Sequence, residues 1–129
     1  MGDRGCDIGV AGLGVMGRNF ALNLADRGVR VGVYNRTPEK TRRFLAEEAG
    51  DRPVEAGESL EAFAGLLERP RAVLVFVPAG DPVDQVIQEL APLLEPGDLL
   101  VDCGNSHYRD TDRRAGMLAR QGLRFLGMG

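Results

Sequence analysis

Gly12-Leu13-Gly14-Val15-Met16-Gly17 has the spacing of a loop that receives a pyrophosphate. In such a loop the first glycine permits a tight turn and the second lets the backbone approach the phosphates. The third lets a helix pack closely on a strand. With 18 glycines in 129 residues the spacing alone is a weak signal. Its context strengthens it. The loop follows a short run, Cys6 to Ala11, that reads as a buried strand, and opens a helical pattern at Val15. A helix N-terminus there offers unpaired N–H groups and the positive end of its dipole to an anion.

A second group of residues bears on which anion. An NAD site usually carries Asp or Glu about 20 residues past the loop, bonding the adenosine 2′-hydroxyl. Here that segment is Tyr34-Asn35-Arg36-Thr37-Pro38, and no acid occurs between Val29 and Pro38. An acid would repel a 2′-phosphate, whereas the Arg36 guanidinium can fork onto it. Asn35 and Thr37 add neutral donors. The pattern therefore reads as an NADP site. Two further segments, Val77-Pro78-Ala79-Gly80 and Asp102-Cys103-Gly104-Asn105-Ser106-His107-Tyr108, each follow an apolar run. Asn105 offers a donor and an acceptor, suited to a nicotinamide ribose or a substrate hydroxyl. His107, the only histidine, reads as a loop or helix-start residue, because no motif supplies it with a carboxylate partner. Lys40 reads as a solvated charge, Asp102 as a residue that orders its loop, and Cys6 and Cys103 as free core thiols. No catalytic residue and no metal site is assigned within the chain.

These residues need elements to hold them. Cys6–Ala11, Arg30–Tyr34, Val54–Ala56, Arg71–Val77, Leu99–Cys103 and Leu123–Leu126 read as strands. The unbroken run Ala72 to Val77 suggests burial on both faces. Helices are predicted over Val15–Arg27, Thr37–Ala49, Ser59–Leu67, Asp81–Leu94 and Asp110–Gln121. In the first, Gly17, Phe20, Ala21 and Leu24 share one face. Thr37-Pro38 is a cap followed by a first-turn proline, and Gly28 and Gly50 are stops. Alternation with short connections predicts an α/β fold: a Rossmann-type doubly wound parallel sheet with helices on both faces, strand order 3-2-1-4-5-6. The whole chain, residues 1–129, reads as a single domain. The carboxyl ends of the strands then line one crevice.

Composition agrees. The hydrophobic share of 43% and charged share of 27% are those of a globular domain. A net charge of −3 argues against nucleic-acid or anionic-membrane binding. Of 16 basic residues all but Lys40 are arginine, so a lysine-dependent step has one candidate. No apolar run approaches a membrane span and no secretory signal is evident, so a soluble cytoplasmic protein is expected.

Four segments together resemble the N-terminal cofactor-binding domain of the 6-phosphogluconate dehydrogenase family. They are Gly12–Asn19, Tyr34–Thr37, Val77–Gly80 and Gly104–Thr111, in the family's order. The resemblance spans essentially the whole chain. Cys103 departs from it, standing where the family usually has Gly. The resemblance implies NADP-dependent oxidative decarboxylation of 6-phosphogluconate to ribulose 5-phosphate, in the pentose phosphate pathway. By position it implies that Gly12, Leu13, Gly14, Val15, Met16 and Gly17 hold the pyrophosphate. Asn35, Arg36 and Thr37 would take the 2′-phosphate side. Val77, Pro78 and Ala79 would border the cofactor, and Asn105 would lie between cofactor and substrate. The family's general base, general acid and homodimer interface belong to a helical domain absent from these 129 residues. The chain is therefore expected to be an inactive fragment by itself. Two alternatives stand beside this reading: the cofactor domain of a related β-hydroxyacid dehydrogenase or imine reductase, and a non-catalytic NADP-sensing module. The segment Asn105 to Tyr108 weighs against the first alternative.

Overall fold

The structure, a computed structural model, describes residues 5–104 and 106–128. Strands β1 (Ile8–Ala11), β2 (Val31–Tyr34), β3 (Val54–Ala56), β4 (Ala72–Val75), β5 (Leu99–Asp102) and β6 (Arg124–Gly127) form one sheet. Its order is β3-β2-β1-β4-β5-β6, and every pairing is parallel. That is the predicted order. Helices α1 (Val15–Asp26), α2 (Pro38–Phe44), α3 (Leu60–Leu66), α4 (Asp81–Leu90) and α5 (Tyr108–Ala119) make the crossovers.

Side chains alternate across the pleat, and the sheet separates two cores. On one face Val73, Val75 and Leu100 meet Phe63 of α3, Ile87 of α4 and Leu118 of α5. On the other, Val10, Val33, Leu74 and Val101 meet Ala21 and Ala25 of α1 and Phe44 of α2. Burial on both faces explains the unbroken apolar runs. It leaves the backbone at the carboxyl ends of β1, β2, β4 and β5 as the natural place for polar work.

Several boundaries move, each for a physical reason. Strand β1 begins at Ile8, and Cys6 makes only an isolated bridge to Leu67. Helix α2 relaxes into a π-helical turn over Leu45–Ala49 before Gly50, at φ 57°. Helix α4 tightens into a 3₁₀ turn over Ala91–Leu93, where Pro92 has no N–H to donate. Helix α5 starts at Tyr108, two residues before the predicted Asp110. The inner face of α1 is rotated from the predicted one. Gly17, Ala21 and Ala25 are buried, whereas Phe20 is 39% exposed. The helix sits too close to the strand for a phenyl ring, so Phe20 moves to the rim and packs on Phe76, with ring centroids 5.5 Å apart. Among the described residues no helix is long and apolar enough to cross a membrane.

Candidate functional site

The glycine loop is shaped by three different demands. Gly12 has φ +106°, and a Cβ there would overlap the Phe76 carbonyl oxygen. A Cβ on Gly17 would overlap the Gly12 carbonyl oxygen, so α1 can seat on the loop only through glycine. Gly14 has φ −71° and nothing within 4 Å of where its Cβ would stand. Its glycine is required by no protein contact, and it leaves open space before the helix. Gly14 is the N-cap of α1 and supplies no capping side chain. The first-turn N–H groups therefore face that space without a capping acceptor. Val15 and Met16 are 65% and 70% exposed beside it. Leu13 differs from its neighbours: its side chain is fully buried in the core. Its N–H donates to Asn35 Oδ1 at 2.9 Å.

That bond ties Asn35 into the loop, and the residue also lines the groove. Its oxygen ties the end of β2 to the glycine loop, and its Nδ2 donates to the Thr37 carbonyl at 3.4 Å. Arg36 is exposed at the same edge, and its Nη1 donates to Gln85 Oε1 at 3.4 Å. Thr37 is the N-cap of α2 by position, but its side chain makes no capping bond, so the hydroxyl is not consumed by the helix. A cavity of about 340 Å³ opens here, with Gly12, Asn35, Arg36 and Thr37 on one wall and Pro82, Gln85 and Val86 on the other. The α4 wall was not anticipated from the sequence. Its signal was periodicity: positions 82, 85, 86 and 89 share a stripe that flanks the buried Val83, Ile87 and Leu90.

A second cavity, of about 640 Å³, continues toward β5 between Gly14–Gly17, Phe76–Pro78, Cys103–Gly104 and Met128. Val77 and Pro78 border both cavities. Ala79 lies beyond them, its backbone nitrogen 3.6 Å from where a Gly104 Cβ would stand. A Cβ on Gly104 would overlap the Val77 carbonyl oxygen, so the two loops touch through glycine. Asn105 lies outside the described residues. Cys103 packs half-buried against the core and also lines this cavity, an exposure the sequence did not suggest. Burial, and then the Asp102 carboxylate, push its thiol up. Cys6 is buried as expected, and burial followed by Glu55 pushes its thiol up to about 12. Both thiols are free.

Beneath the second cavity lies a buried polar cluster that no motif announced. Asp102, 1% exposed, accepts from the Gly104 N–H at 2.8 Å, from the Ser106 hydroxyl and from Arg114 Nη1 at 3.3 Å. It thus orders its loop, as anticipated. Arg114 of α5 is fully buried. Its Nε donates to Asp84 Oδ1 at 2.8 Å, Nη1 to Ser106 Oγ at 3.0 Å and Nη2 to the Gly80 carbonyl at 3.1 Å. The bond from Arg114, assisted by Arg113, holds the Asp84 carboxyl below its ordinary range. The available signal was Arg114 standing four residues before Leu118 on the buried face of α5. His107 is the N-cap of α5, its Nδ1 accepting from the Arg109 N–H at 3.2 Å. Lys40 is exposed on α2.

Taken together the cleft is an elongated, two-chambered groove: an unclaimed helix N-terminus at its middle, a guanidinium at one end and a mostly apolar chamber at the other. A dinucleotide has that arrangement of groups. Residues 7–129 match the family model described as the NAD binding domain of 6-phosphogluconate dehydrogenase. A decarboxylating 6-phosphogluconate dehydrogenase of Synechocystis sp. is 54% identical over 122 residues, covering 95% of this chain and 25% of the relative. The structure of the Plasmodium falciparum 6-phosphogluconate dehydrogenase superposes with a TM-score of 0.86 at 34% identity, covering 93% of this chain and 26% of that one. That protein is described with its cofactor NADP+ and with its substrate 6-phosphogluconate. A Mycobacterium tuberculosis 3-hydroxyisobutyrate dehydrogenase shares the fold, with a TM-score of 0.80 at 19% identity over 96% of this chain and 40% of that one. The chain spans about a quarter of the length of the curated relatives it matches.

Proposed function

The chain belongs to the family of NAD-binding domains of 6-phosphogluconate dehydrogenase, and from that premise we propose that it is the NADP-binding domain of a decarboxylating enzyme of this kind. The observation that carries the cofactor choice is Arg36. It stands at the end of β2, where an NAD site keeps an acid, and it borders a cavity continuous with the glycine loop. In this reading the first-turn N–H groups of α1 hold the pyrophosphate in the space beside Gly14. Arg36 and the uncommitted Thr37 hydroxyl hold the 2′-phosphate. Asn35 keeps the loop in shape from behind, through the Leu13 N–H. Val77 and Pro78 border the dinucleotide where the two chambers meet, Ala79 follows them at the edge of the groove, and Asn105 bridges cofactor and substrate.

NADP, when bound, supplies the hydride acceptor. This chain's residues bind and orient it. The whole protein would convert 6-phosphogluconate to ribulose 5-phosphate, in the cytoplasm. Its proton-transferring groups and its dimer interface would lie in the part of the relatives that these 129 residues do not span.

Titration of NADP+ and NAD+ into the wild type and Arg36→Ala tests the reading. A charge-assisted bond is worth roughly 1.5–3 kcal/mol, so NADP+ should bind about ten- to a hundredfold more tightly than NAD+. The substitution should erase that preference while leaving NAD+ binding unchanged. Added salt should weaken NADP+ binding more than NAD+ binding. Equal affinities in the wild type would overturn the proposal.

A further inference from the structure

Arg114 touches neither cavity, yet every loop on the β4–β5 side of the groove ends on it. The β4–α4 loop, residues 76–80, supplies Phe76, Val77 and Pro78 to the second chamber, and its last carbonyl, Gly80, accepts from Arg114 Nη2. The β5–α5 loop supplies Cys103 and Gly104 to the opposite wall, and Ser106 of the same loop accepts from Arg114 Nη1. The two loops also press on one another where Gly104 meets the Val77 carbonyl. Asp84 and Asp102 hold the guanidinium from either side, at 2.8 Å and 3.3 Å. A planar fork with five donors can bridge four acceptors on separate elements, and an ammonium group cannot reproduce that geometry.

We infer that Arg114 is a positioning residue for the nicotinamide half of the dinucleotide. It clamps the β4–α4 and β5–α5 loops at the separation the second chamber requires. The inference rests on the NADP-binding reading. It goes beyond it by dividing the groove into an adenosine half, built on β1, β2 and Arg36, and a nicotinamide half whose shape depends on one buried side chain. A side chain with no exposure cannot contact the ligand. Its effect must pass through the loops, and it must therefore distinguish the two halves of the same ligand.

Removing the guanidinium outright would leave Asp102 buried beside an empty space, which is strongly destabilising. The test therefore uses Arg114→Lys, which retains the charge, and Ser106→Ala, which removes one acceptor of the clamp and leaves the Arg114–Asp84 and Arg114–Asp102 pairs in place. Each is titrated with NADP+ and with adenosine 2′,5′-bisphosphate, which carries only the adenosine half. Wild-type binding of both ligands establishes the site itself. If the wild type fails to bind NADP+, the underlying reading falls, and this inference falls with it. Given wild-type binding, Arg114→Lys should weaken NADP+ by about tenfold or more, while the bisphosphate changes by no more than about twofold. Ser106→Ala should weaken NADP+ in the same sense by less. Equal losses for both ligands would mean that Arg114 only stabilises the fold, and an unchanged NADP+ affinity in both variants would mean that the loops hold their places without it. Either result overturns the inference. Should Arg114→Lys not fold, the same comparison in Ser106→Ala decides the matter.

Discussion

Asn35 and Arg36 are neighbours at the end of β2, yet their surroundings differ. Arg36 is exposed at the groove, and Asn35 is turned inward to the Leu13 N–H. Their substitutions should therefore separate. Losing Arg36 should affect only the ligand with a 2′-phosphate. Asn35→Ala leaves a part-buried N–H without its acceptor, at a cost of about 1–3 kcal/mol, and loosens the loop that both cofactors share. NADP+ and NAD+ affinities should fall together in Asn35→Ala, by a similar factor, with a lower melting temperature. A loss confined to NADP+ would return Asn35 to the phosphate-binding role that its residue type first suggested. The sequence made the chemistry of this corner legible because the informative feature was a missing acid in a short segment. Which of two adjacent polar residues faces inward was not legible, since that depends on a backbone N–H 22 positions earlier.

At the scale of elements, the seat of α1 on the β1 loop is the most constrained joint. Gly17 meets the Gly12 carbonyl and Gly14 meets nothing. Gly17→Ala should force the helix outward, costing about 1–3 kcal/mol as an overpacked contact and lowering the melting temperature by roughly 3–12 °C. Gly14→Ala should leave stability within about 0.5 kcal/mol. It should nevertheless weaken NADP+, because the new methyl group stands where the phosphates approach. Paired thermal melts and titrations check both, and a stability loss at Gly14 equal to that at Gly17 would contradict the packing described. The strand order was legible because parallel strands joined by right-handed crossovers leave few arrangements open. The true inner face of α1 was not. Hydrophobicity alone puts Phe20 inside, whereas the close approach allowed by Gly17 leaves it no room. Arg114 escaped for a related reason. A buried arginine is stabilised by Asp84 and Asp102, and a helical periodicity cannot show that two acids 30 and 12 positions away converge on it.

At the scale of the whole molecule, the proposed function gives this chain binding and orientation and no proton transfer. Lys40 follows β2, whereas the second chamber is lined from the loops that follow β1, β4 and β5. Three strand spacings of about 4.8 Å separate β2 from β5, so its amine belongs to the adenosine side. His107 is committed through Nδ1 to the start of α5. The isolated 129-residue chain should therefore bind NADP+ without reducing it when 6-phosphogluconate is added. Absorbance of NADPH checks this. Sustained reduction that disappears in His107→Ala would place proton transfer within this domain. The topology has a separate bearing on how the protein is made. Gly9 of β1 pairs with Gly32 on one side and with Val73 on the other. β1, made before both of its neighbours, thus gains one of them early and must wait for β4 to gain the second. At roughly 5–20 residues per second, its open edge persists for a few seconds on the ribosome. A translational pause between Tyr34 and Ala72 would prolong that state, leaving the nascent chain with its future central strand half-paired and available to a chaperone or to a neighbouring nascent chain.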